Sequence, residues 1–501
     1  MAPPDKSPAL PDLLAASLLD RHARAAARRA VWEPLWRECY EHALPQHAGF
    51  DPGAADGARR GDRLYDATAA DAVDQLAASL LAQLTPPWSR WMGLTPGPVL
   101  ADDLATRLAP LLLEASETFH VQIERSNFAV EAHQAFLDVV TGGTGCLLVE
   151  EAVPGAPSAL RFTAVPLSDL VLEEGEEGRL DHLYRRQRLS LAELAARVPV
   201  DRIPDGVKRD GAADPTRRFA LVESVMAEGT AWRWRLVLAE GDGPVTLADG
   251  HFADMPFIAF RWLKAPGETY GRSPVMKALP DIKTANKVVE LVLKNASIAV
   301  TGIWQADDDG VLNPGAIRLV PGTIIPKAVG SAGLTPLASP GRFDVSQLVL
   351  DDLRARIRHA LLADRLAPVD GPRMTATEVL ARGAEMARIL GATFGRLQSE
   401  LLVPLVRRSL SILRRRGLVP DFAADGRQVM IRILSPLARA QAQRDAEATL
   451  RWLESVSALG ADALSVVDLP ACARFLADAA GVPPVLIRPL PTARPMEAVD
   501  G

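Results

Sequence analysis

Cysteine and aromatic residues are scarce in this chain of 501 residues. The three cysteines, Cys39, Cys146 and Cys472, lie far apart and show no C-x-x-C spacing. This pattern argues against a disulfide framework and a cysteine-based zinc site, and it indicates a reducing compartment. Phe, Trp and Tyr together make up 5% of the chain, and nine of these residues are tryptophans. The tryptophans are therefore informative about packing.

Long apolar runs and an excess of basic residues are also missing. No stretch of about 18 uncharged apolar residues occurs, so we expect no transmembrane helix. The N-terminus, MAPPDKSPALPDLLAASLLDRH, lacks the basic and apolar regions of a signal peptide, and none is expected. The formal net charge is −6 at pH 7. It disfavours a membrane-surface protein and a protein that grips nucleic acid over its whole surface, but it is compatible with a local basic stripe.

Motifs that build an active site are absent too. The sequence has no G-x-G-x-x-G, H-E-x-x-H or G-x-S-x-G pattern. The GGTG at 142–145 lacks the Lys–Ser/Thr pair of a phosphate-binding loop and predicts a tight turn. The acidic run DDDG at 307–310 lacks the spacing of a calcium loop, and the acidic patch at 173–177 (EEGEE) is interpreted as a solvated loop. We therefore expect no catalytic residues, no metal and no cofactor.

One amphipathic helix stands out within LYDATAADAVDQLAASLLAQLTPPWSRWMGL, at 64–94. Thr68 and Asp71 have the spacing of a capping box, and Pro86–Pro87 cannot continue a helix. Apolar residues between them recur every three or four positions and predict one buried stripe: Ala69, Val73, Leu76, Leu80 and Leu84. Trp88 and Trp91 follow the break at once. They form either an intramolecular packed corner or a contact with another copy of the chain.

The fold class indicated by the whole chain is α+β and mainly helical. Helical patterns cover about 10–45 and 101–140, and short strands with Gly and Pro punctuation follow to about 264. Helices are predicted again at 274–297, about 344–364 and 375–416, and 436–501 is mostly helical. The stretch 375–416 opens on a second capping box, Thr375 and Glu378. Gly391, Gly395 and Pro404 make a straight helix of that length improbable.

Two of these helices bracket a small β insert at 298–341 and carry basic stripes. The first has Ser273 at a cap position and Pro274 at the first helical position. Lys283, Lys287, Glu290 and Lys294 recur on it at i, i+4, i+7 and i+11. The second carries Arg354 and Arg358, followed by Arg365. Each stripe is either a solvated helix face or a surface that binds an anion.

Three collinear segments resemble the head-to-tail connector, or portal, family of short-tailed, T7-like bacteriophages. The first is YDATAADAVDQLAASLLAQLTPPWSRWMGL, a small-residue helix ending in Pro-Pro and an aromatic residue. The second is GETYGRSPVMKALPDIKTANKVVELVLKNASIAV, with its Gly-Arg-Ser-Pro start. The third is MTATEVLARGAEMARILGATFGRLQSELLVPLVRRSLSILRRRGLVP. Together with a weaker match in the tail, they span most of residues 30–488 in the family's order.

The resemblance implies a ring of about twelve copies at the portal vertex of the capsid. Double-stranded DNA would enter through its axial channel during packaging and leave during infection, without sequence-specific contacts. The expected partners are the terminase large subunit, which is the separate ATPase, the scaffolding and major capsid proteins, and tail adaptor proteins. The expected location is the virion, after assembly in the host cytoplasm. Another structural phage protein, such as a tail adaptor or minor capsid protein, is the alternative; an enzyme with an unrecognised site is a further one.

The resemblance also implies a portal-type arrangement of wing, stem, clip and crown. In these terms, the wing is 1–273 and the first stem helix 274–297. The clip is 298–341 and the second stem helix 342–364. The stretch 365–435 would contain the tunnel loop, LAPVDGPR, and the long kinked helix returning to the wing. The crown and C-terminal tail would be 436–501.

Several basic residues are candidates for facing the DNA channel. Arg373, in the expected tunnel loop, is the first of them. The others come from the two stem helices: Arg354, Arg358, Arg365, Lys283, Lys287 and Lys294. The arginines at 407, 408 and 414–416 are interpreted as a helix C-terminus, where positive charge is favoured. Trp88 and Trp91 are candidates for the subunit interface, with the intramolecular core as the alternative.

Overall fold

A computed structural model describes most of the chain. The described residues are 12–47, 50, 61–87, 89–100, 102–175, 178–241, 243–301, 304–306, 329, 334–336, 343–366, 391–422, 427–434, 436–460, 463, 465–479 and 482. Predictions for Trp88, Arg373, the Thr375–Glu378 capping box and the acidic run 307–310 fall outside them.

Helices make up most of the regular structure. They are α1 Leu13–Ala30, α2 Glu33–Ala43, α3 Thr68–Leu84, α4 Asp102–Glu124, α5 Phe128–Gly142, α6 Leu191–Ala195, α7 Asp205–Ala213, α8 Pro274–Thr301, α9 Phe343–Ala360, α10 Ala363–Leu366, α11 Gly391–Leu397, α12 Val403–Arg415, α13 Pro436–Ala458 and α14 Leu469–Ala479. A π-helical turn, Gln398–Leu402, joins α11 to α12. The mainly helical α+β class predicted from the sequence is confirmed.

The strands form small antiparallel sheets. They are β1 Met92–Pro96, β2 Thr144–Glu151, β3 Leu160–Ala164, β4 Leu170–Glu173, β5 His182–Leu189, β6 Phe219–Glu228, β7 Ala231–Leu238, β8 Val245–Phe252, β9 Phe257–Arg261, β10 Trp304–Ala306, β11 Leu334–Pro336 and β12 Val429–Ile433. The largest sheet has the order β4-β5-β6-β7-β8, and a second has the order β3-β2-β9. Two-stranded ribbons pair β1 with β12 and β10 with β11.

One large hydrophobic core joins the helices to the β3-β2-β9 sheet. It includes Trp36 of α2, Phe136 of α5 and Leu147 of β2, all of which are buried. A smaller core lies under α6 and α7, where Leu194 and Val207 pack with Phe219 of the five-stranded sheet. A third cluster seats α1 on that same sheet. Residues far apart in the chain therefore share the main core.

Helix α3 confirms its predicted stripe but not its predicted cap. Ala69, Val73, Leu76, Leu80 and Leu84 are all buried, and the helix ends at Leu84, ahead of the two prolines. The proposed capping box is wrong, because Thr68 is the first helical residue and Ala67, at the cap position, makes no side-chain hydrogen bond. The carboxylate of Asp66 accepts from the Thr68 N–H at 3.0 Å instead.

The GGTG segment is a tight turn, as predicted. Gly143 ends α5 with a left-handed φ of 82°. A Cβ at Gly143 would collide with the backbone carbonyl of Gly271. Only glycine suits this position, since it tolerates positive φ and leaves room for the neighbouring chain.

The interpretation of the acidic patch at 173–177 as a solvated loop is wrong for Glu173 and Glu174. Glu173 accepts hydrogen bonds from Arg21 at 2.7 Å and Arg28 at 2.6 Å, and it seats α1 on the sheet. Glu174 pairs with Arg261 of β9 at 2.8 Å and also with Lys264. These two glutamates are internal ion-pair partners, while Glu176 and Glu177 lie outside the described residues.

The long C-terminal helical stretch is interrupted where the sequence places Pro404. A proline in a regular helix would clash with the carbonyl four residues earlier, which here belongs to Glu400, and the π turn lies at this point. The Glu400 side chain accepts from Arg261 Nη2 at 2.7 Å and from the Arg261 backbone N–H at 2.9 Å. The buried Arg261 guanidinium thus joins β9 to the turn.

The arginine cluster at the end of α12 is only in part a helix terminus. Arg414 and Arg415 lie in the last turn, as expected. Arg408 is instead 2% exposed; it donates to the Val149 carbonyl at 3.3 Å and lies 4.9 Å from the ring centre of Phe252. Burial, with the nearby charge of Arg415, lowers the pKa of Arg408 to about 10. Arg408 is a core residue, because its contacts with the Phe252 ring and the Val149 carbonyl replace contacts with solvent.

Candidate functional site

The candidate site is the pair of helices α8 and α9, which carry most of the basic candidates. Asp281, near the start of α8, accepts from Arg356, near the end of α9, at 2.9 Å. The strands that directly follow α8 and precede α9, β10 and β11, pair antiparallel. The two helices therefore run in opposite directions as a hairpin. The end that contains Asp281 is called its base below, and the end toward β10 and β11 is called its tip.

The start of α8 is fixed as the sequence predicts. Ser273 Oγ accepts from the Met276 N–H at 2.9 Å and donates to the Thr141 carbonyl of α5 at 2.8 Å. Pro274 is the first helical residue, where its missing N–H costs nothing. One hydroxyl thus caps α8 and ties it to α5. The helix itself reaches Thr301, four residues beyond its predicted end at 297.

Asn286 fastens the middle of α8 to the loop before α3. Its Oδ1 accepts from the backbone N–H groups of Tyr65 at 2.7 Å and Asp66 at 3.1 Å. Its Nδ2 donates to the Arg63 carbonyl at 2.9 Å. A buried amide with both of its ends satisfied specifies one position for the loop.

Asp66 connects that same loop to α9. Arg354 Nε donates to Asp66 Oδ2 at 2.8 Å, and the Asp66 side chain is 3% exposed. Burial acts to raise the pKa of Asp66, but hydrogen bonds from Thr68 and Arg354 outweigh it and hold the pKa below its ordinary value of 3.8. Arg354 is therefore committed to an internal partner.

The lysine stripe on α8 is exposed, and each of its lysines has an acidic partner. Lys283 donates to Glu38 of α2 at 3.0 Å. Lys287 and Lys294 both donate to Glu290, at 2.9 and 2.5 Å. The two hydrogen bonds, from Lys294 and Lys287, lower the pKa of Glu290 to about 2. The stripe therefore carries less net positive charge than its lysine count indicates.

The remaining basic candidates differ in what the structure shows. Arg358 is exposed on α9 and has no hydrogen-bond or ion-pair partner within the described ranges. The backbone of Arg365 lies in α10, but its side chain is outside the described residues, as is the whole of Arg373. Among the described candidates, Arg358 is thus the arginine whose charge is available to an external anion.

Trp91 lies in the intramolecular core. It is 1% exposed, and its ring packs edge-on against Phe119 with centroids 5.5 Å apart. Phe128 stacks on it at 6.3 Å. Of the two alternatives for this tryptophan, the packed corner within one chain is the one these contacts support.

Apolar side chains are exposed toward the tip of the hairpin. In α8, Val275, Leu279 and Ile282 at the base are buried, whereas no residue from 287 to 297 is. Leu291 is 48% and Leu293 53% exposed. On α9, the exposed fractions are 74% for Leu348 and 46% for Val349. The base of the hairpin is built into the core, and the part toward the tip presents leucines beside charged residues.

The described part of the chain offers no grouping of His, Cys, Asp and Glu that would hold a metal ion. Within the same residues, no helix combines the length and apolar character needed to cross a bilayer.

The residues that anchor the hairpin, Asp66 and Asn286, were not among the candidates that the sequence indicates. Asp66 had a local signal, since an Asp two positions ahead of a predicted helix start often accepts from its first N–H groups. Asn286 had only a weak one: it is an amide in the middle of an amphipathic helix, at a position next to the apolar face. Neither signal identifies the partner, which lies more than 200 residues away in the chain.

Comparison with known proteins agrees with the resemblance. Residues 15–487 match the family described as "Bacteriophage head to tail connecting protein". The probable portal protein of Bordetella phage BPP-1 is 24% identical over 94% of this chain and 88% of its own length. The portal protein of Escherichia phage T7 is 24% identical over 78% of this chain and 73% of its own.

Among solved structures, a chain from the neck of an empty GTA particle aligns with a TM-score of 0.36 and 12% identity, covering 81% of this chain and 95% of the other. The family match, which spans nearly the whole chain, confirms the expected structural rather than enzymatic role. The chain belongs to the bacteriophage head-to-tail connecting protein family and is a component of the virion's head-to-tail connection.

Proposed function

We propose that copies of this chain form a closed ring of about twelve subunits at one capsid vertex, and that double-stranded DNA passes through its axial channel. Relatives named portal proteins, in phages T7 and T3 among others, support the proposal. The observation that carries it is the α8–α9 hairpin, which is anchored in the core at its base and exposes leucines and basic residues toward its tip. Such a surface is unsuited to an isolated chain, because exposed apolar patches mark contact sites.

The hairpin is the proposed stem. In this assignment α8 and α9 line the ring, and the insert between them, with the β10–β11 ribbon, forms the clip. The wing consists of the residues before α8, with their sheets, and of the described residues of 391–434, whose strand β12 pairs with β1. Helices α13 and α14 form the crown. The assignment keeps the predicted domain order and extends the first stem helix from 297 to Thr301.

The neutralisation of basic residues along the stem favours the passage of DNA through the channel over tight binding of DNA to it. Each phosphate that a basic residue neutralises strengthens DNA binding through counterion release, and a ring multiplies every such residue by its copy number. Lys283, Lys287, Lys294 and Arg354 all have carboxylate partners within the chain. We therefore propose Arg358, together with Arg365 and Arg373, as the residues that contact the DNA backbone.

The partners follow from the same function. The ring would dock the terminase large subunit during packaging and tail adaptor proteins afterwards. Scaffolding and major capsid proteins would bind its outer surface, during assembly in the host cytoplasm.

The experiment that tests the proposal is the mass of the purified chain, measured by native mass spectrometry, followed by negative-stain electron microscopy. We expect a closed ring of about twelve copies with an axial hole. A monomer or dimer that forms no ring even with its scaffolding protein would overturn the proposal.

A further inference from the structure

We propose that neighbouring copies contact each other through two outward stripes of the hairpin. Lys287 of α8 in one copy faces Asp352 of α9 in the next, and Leu291 faces Leu348. The inference rests on the ring proposed above. It assigns Lys287 and its stripe to the contact between subunits instead of to the DNA channel.

The two stripes point in opposite directions. Toward the tip of α8, Val289, Val292 and Ala296 are half-buried, and α9 is packed against this helix. At 100° per residue, Lys287 and Lys294 lie about 140–160° around the helix from Val292. On α9, Leu350, Leu353 and Ile357 are buried. Leu348 and Asp352 lie more than about 90° from each of these three. One hairpin thus offers different surfaces on its two flanks.

The two stripes also match in their positions along the axis of the hairpin, which are called heights here. Asp281 and Arg356 are in contact, and the helices run antiparallel, so Lys287 is level with position 350 and Leu291 with position 346. Asp352 and Leu348 are each two residues from these levels, an offset of about 3 Å for both. A rotation about an axis along the hairpin leaves heights unchanged. Both pairs therefore meet in the same register in a ring.

The chemistry of the stripes is complementary. Leu291 is 48% exposed in the middle of the lysine stripe, and Leu348 is 74% exposed beside Asp352. Asp352 is exposed and has no hydrogen-bond or ion-pair partner in the described part of the chain. Glu290 holds Lys287 at 2.9 Å and so orders the cation before the contact forms. A half-exposed leucine between two lysines suits a protein partner better than a hydrated DNA backbone.

The contact is heterologous, since different surfaces meet. A ring needs a contact of this kind, which closes when the rotation between neighbours divides a full turn, whereas an identical patch on both partners would stop at a dimer. Asp281 and Arg356 pair within one copy and do not compete for Lys287 or Asp352.

A charge exchange tests the pairing. Lys287→Glu and Asp352→Lys are each expected to raise the protein concentration needed for half-assembly at least tenfold, measured by light scattering and native mass spectrometry. The double variant, with the charges exchanged, is expected to recover most of the loss. Lys277→Glu, an exposed lysine of the same helix near its start, is the matched control and should assemble as the unmodified chain does.

Cross-linking gives a second readout that does not depend on stability. In a Cys472→Ser background, which leaves the buried Cys39 and Cys146, Leu291→Cys with Leu348→Cys should form a ladder of covalent oligomers on oxidation. The inference would be overturned if the unmodified chain forms rings and both single charge variants assemble equally well. It would also be overturned if the cysteine variant forms rings but gives no ladder. An unmodified chain that forms no ring would count against the proposed function instead.

Discussion

Arg354 of α9 donates from Nε to Oδ2 of Asp66 at 2.8 Å, and the other oxygen of that carboxylate accepts from the Thr68 N–H at 3.0 Å. A single buried side chain therefore caps α3 and holds α9. Because Asn286 of α8 binds the backbone N–H of the same aspartate, both helices of the proposed stem are fixed to one loop. Together with the hydrogen bond from Ser273 to the Thr141 carbonyl, this loop fixes the orientation of the hairpin relative to the core.

Asp66→Ala is expected to destabilise the isolated chain by about 2–4 kcal/mol, since it removes a helix cap and a charge-assisted hydrogen bond. The thermal midpoint, followed by circular dichroism, measures the change. Asp74→Ala removes an exposed aspartate of the same helix and is the control; it should shift the midpoint little. Equal shifts in the two variants would contradict the role of Asp66.

Glu400→Gln is expected to cost about 3–5 kcal/mol, because it leaves the Arg261 guanidinium, which is 1% exposed, without its main counter-charge. Glu117→Gln is the control, as the ion pair of Glu117 with Arg90 is exposed on both sides. Such pairs contribute about 0–1 kcal/mol. Chemical denaturation gives the free energy of unfolding of both variants. A loss at Glu400→Gln no larger than that at Glu117→Gln would contradict the role of the buried ion pair.

Trp91→Ala is expected to destabilise the single chain by about 3–5 kcal/mol through the cavity it creates. The measurement is the thermal midpoint at a concentration where the chain is monomeric. Trp452→Ala, at a tryptophan that is 47% exposed, should change stability by about 0.5 kcal/mol or less. If Trp91 served mainly as a subunit contact, its removal would weaken assembly and leave the monomer's midpoint unchanged.

Acid is expected to weaken the docking of α1 on the five-stranded sheet. His22 lies 5.4 Å from the ring of Tyr184, and burial, followed by the charges of Arg186 and Arg29, lowers its pKa from 6.5 to about 4. Between these values the unfolded chain binds a proton that the native chain does not, so the free energy of unfolding falls as pH falls from 6.5 to 4.

His22→Phe keeps a ring of similar size and removes this protonation. The difference between the thermal midpoints at pH 7 and pH 5 should therefore shrink. His251→Phe, at a histidine whose side chain is 54% exposed, is the control and should retain the full difference. Parallel curves for all three proteins would show that His22 does not contribute.

Arg358→Ala is expected to weaken the binding of the assembled ring to double-stranded DNA. The slope of log affinity against log salt is negative, and each lost phosphate contact reduces its magnitude by about 0.9. Fluorescence anisotropy at several salt concentrations measures that slope. Arg161→Ala removes an exposed arginine from β3 and should leave the slope unchanged. An unchanged slope for Arg358→Ala would remove this residue from the channel.

Much of the local structure follows from short-range rules. The cap at Ser273, the stripe of α3 and the tight turn at 142–145 were all predictable, because each depends on residues within a few positions of one another. The acidic patch at 173–177 could not be predicted in this way, because its partners are distant in the chain. Glu174 pairs with Arg261, which is 87 residues away in the chain, and the local composition does not indicate so distant a partner.

By itself, the sequence determined the α+β class, the order of the helices, the absence of catalytic motifs and, through three collinear segments, the connector family. Only the tertiary structure decided which charges stay available. Arg354 and Arg358 stand four residues apart on one helix with the same side chain, yet the first is bound to Asp66 and the second is free of partners in the described residues. The loop that supplies Asp66 reaches α9 through the packing of the core, and periodicity along one helix cannot encode a contact made by another segment.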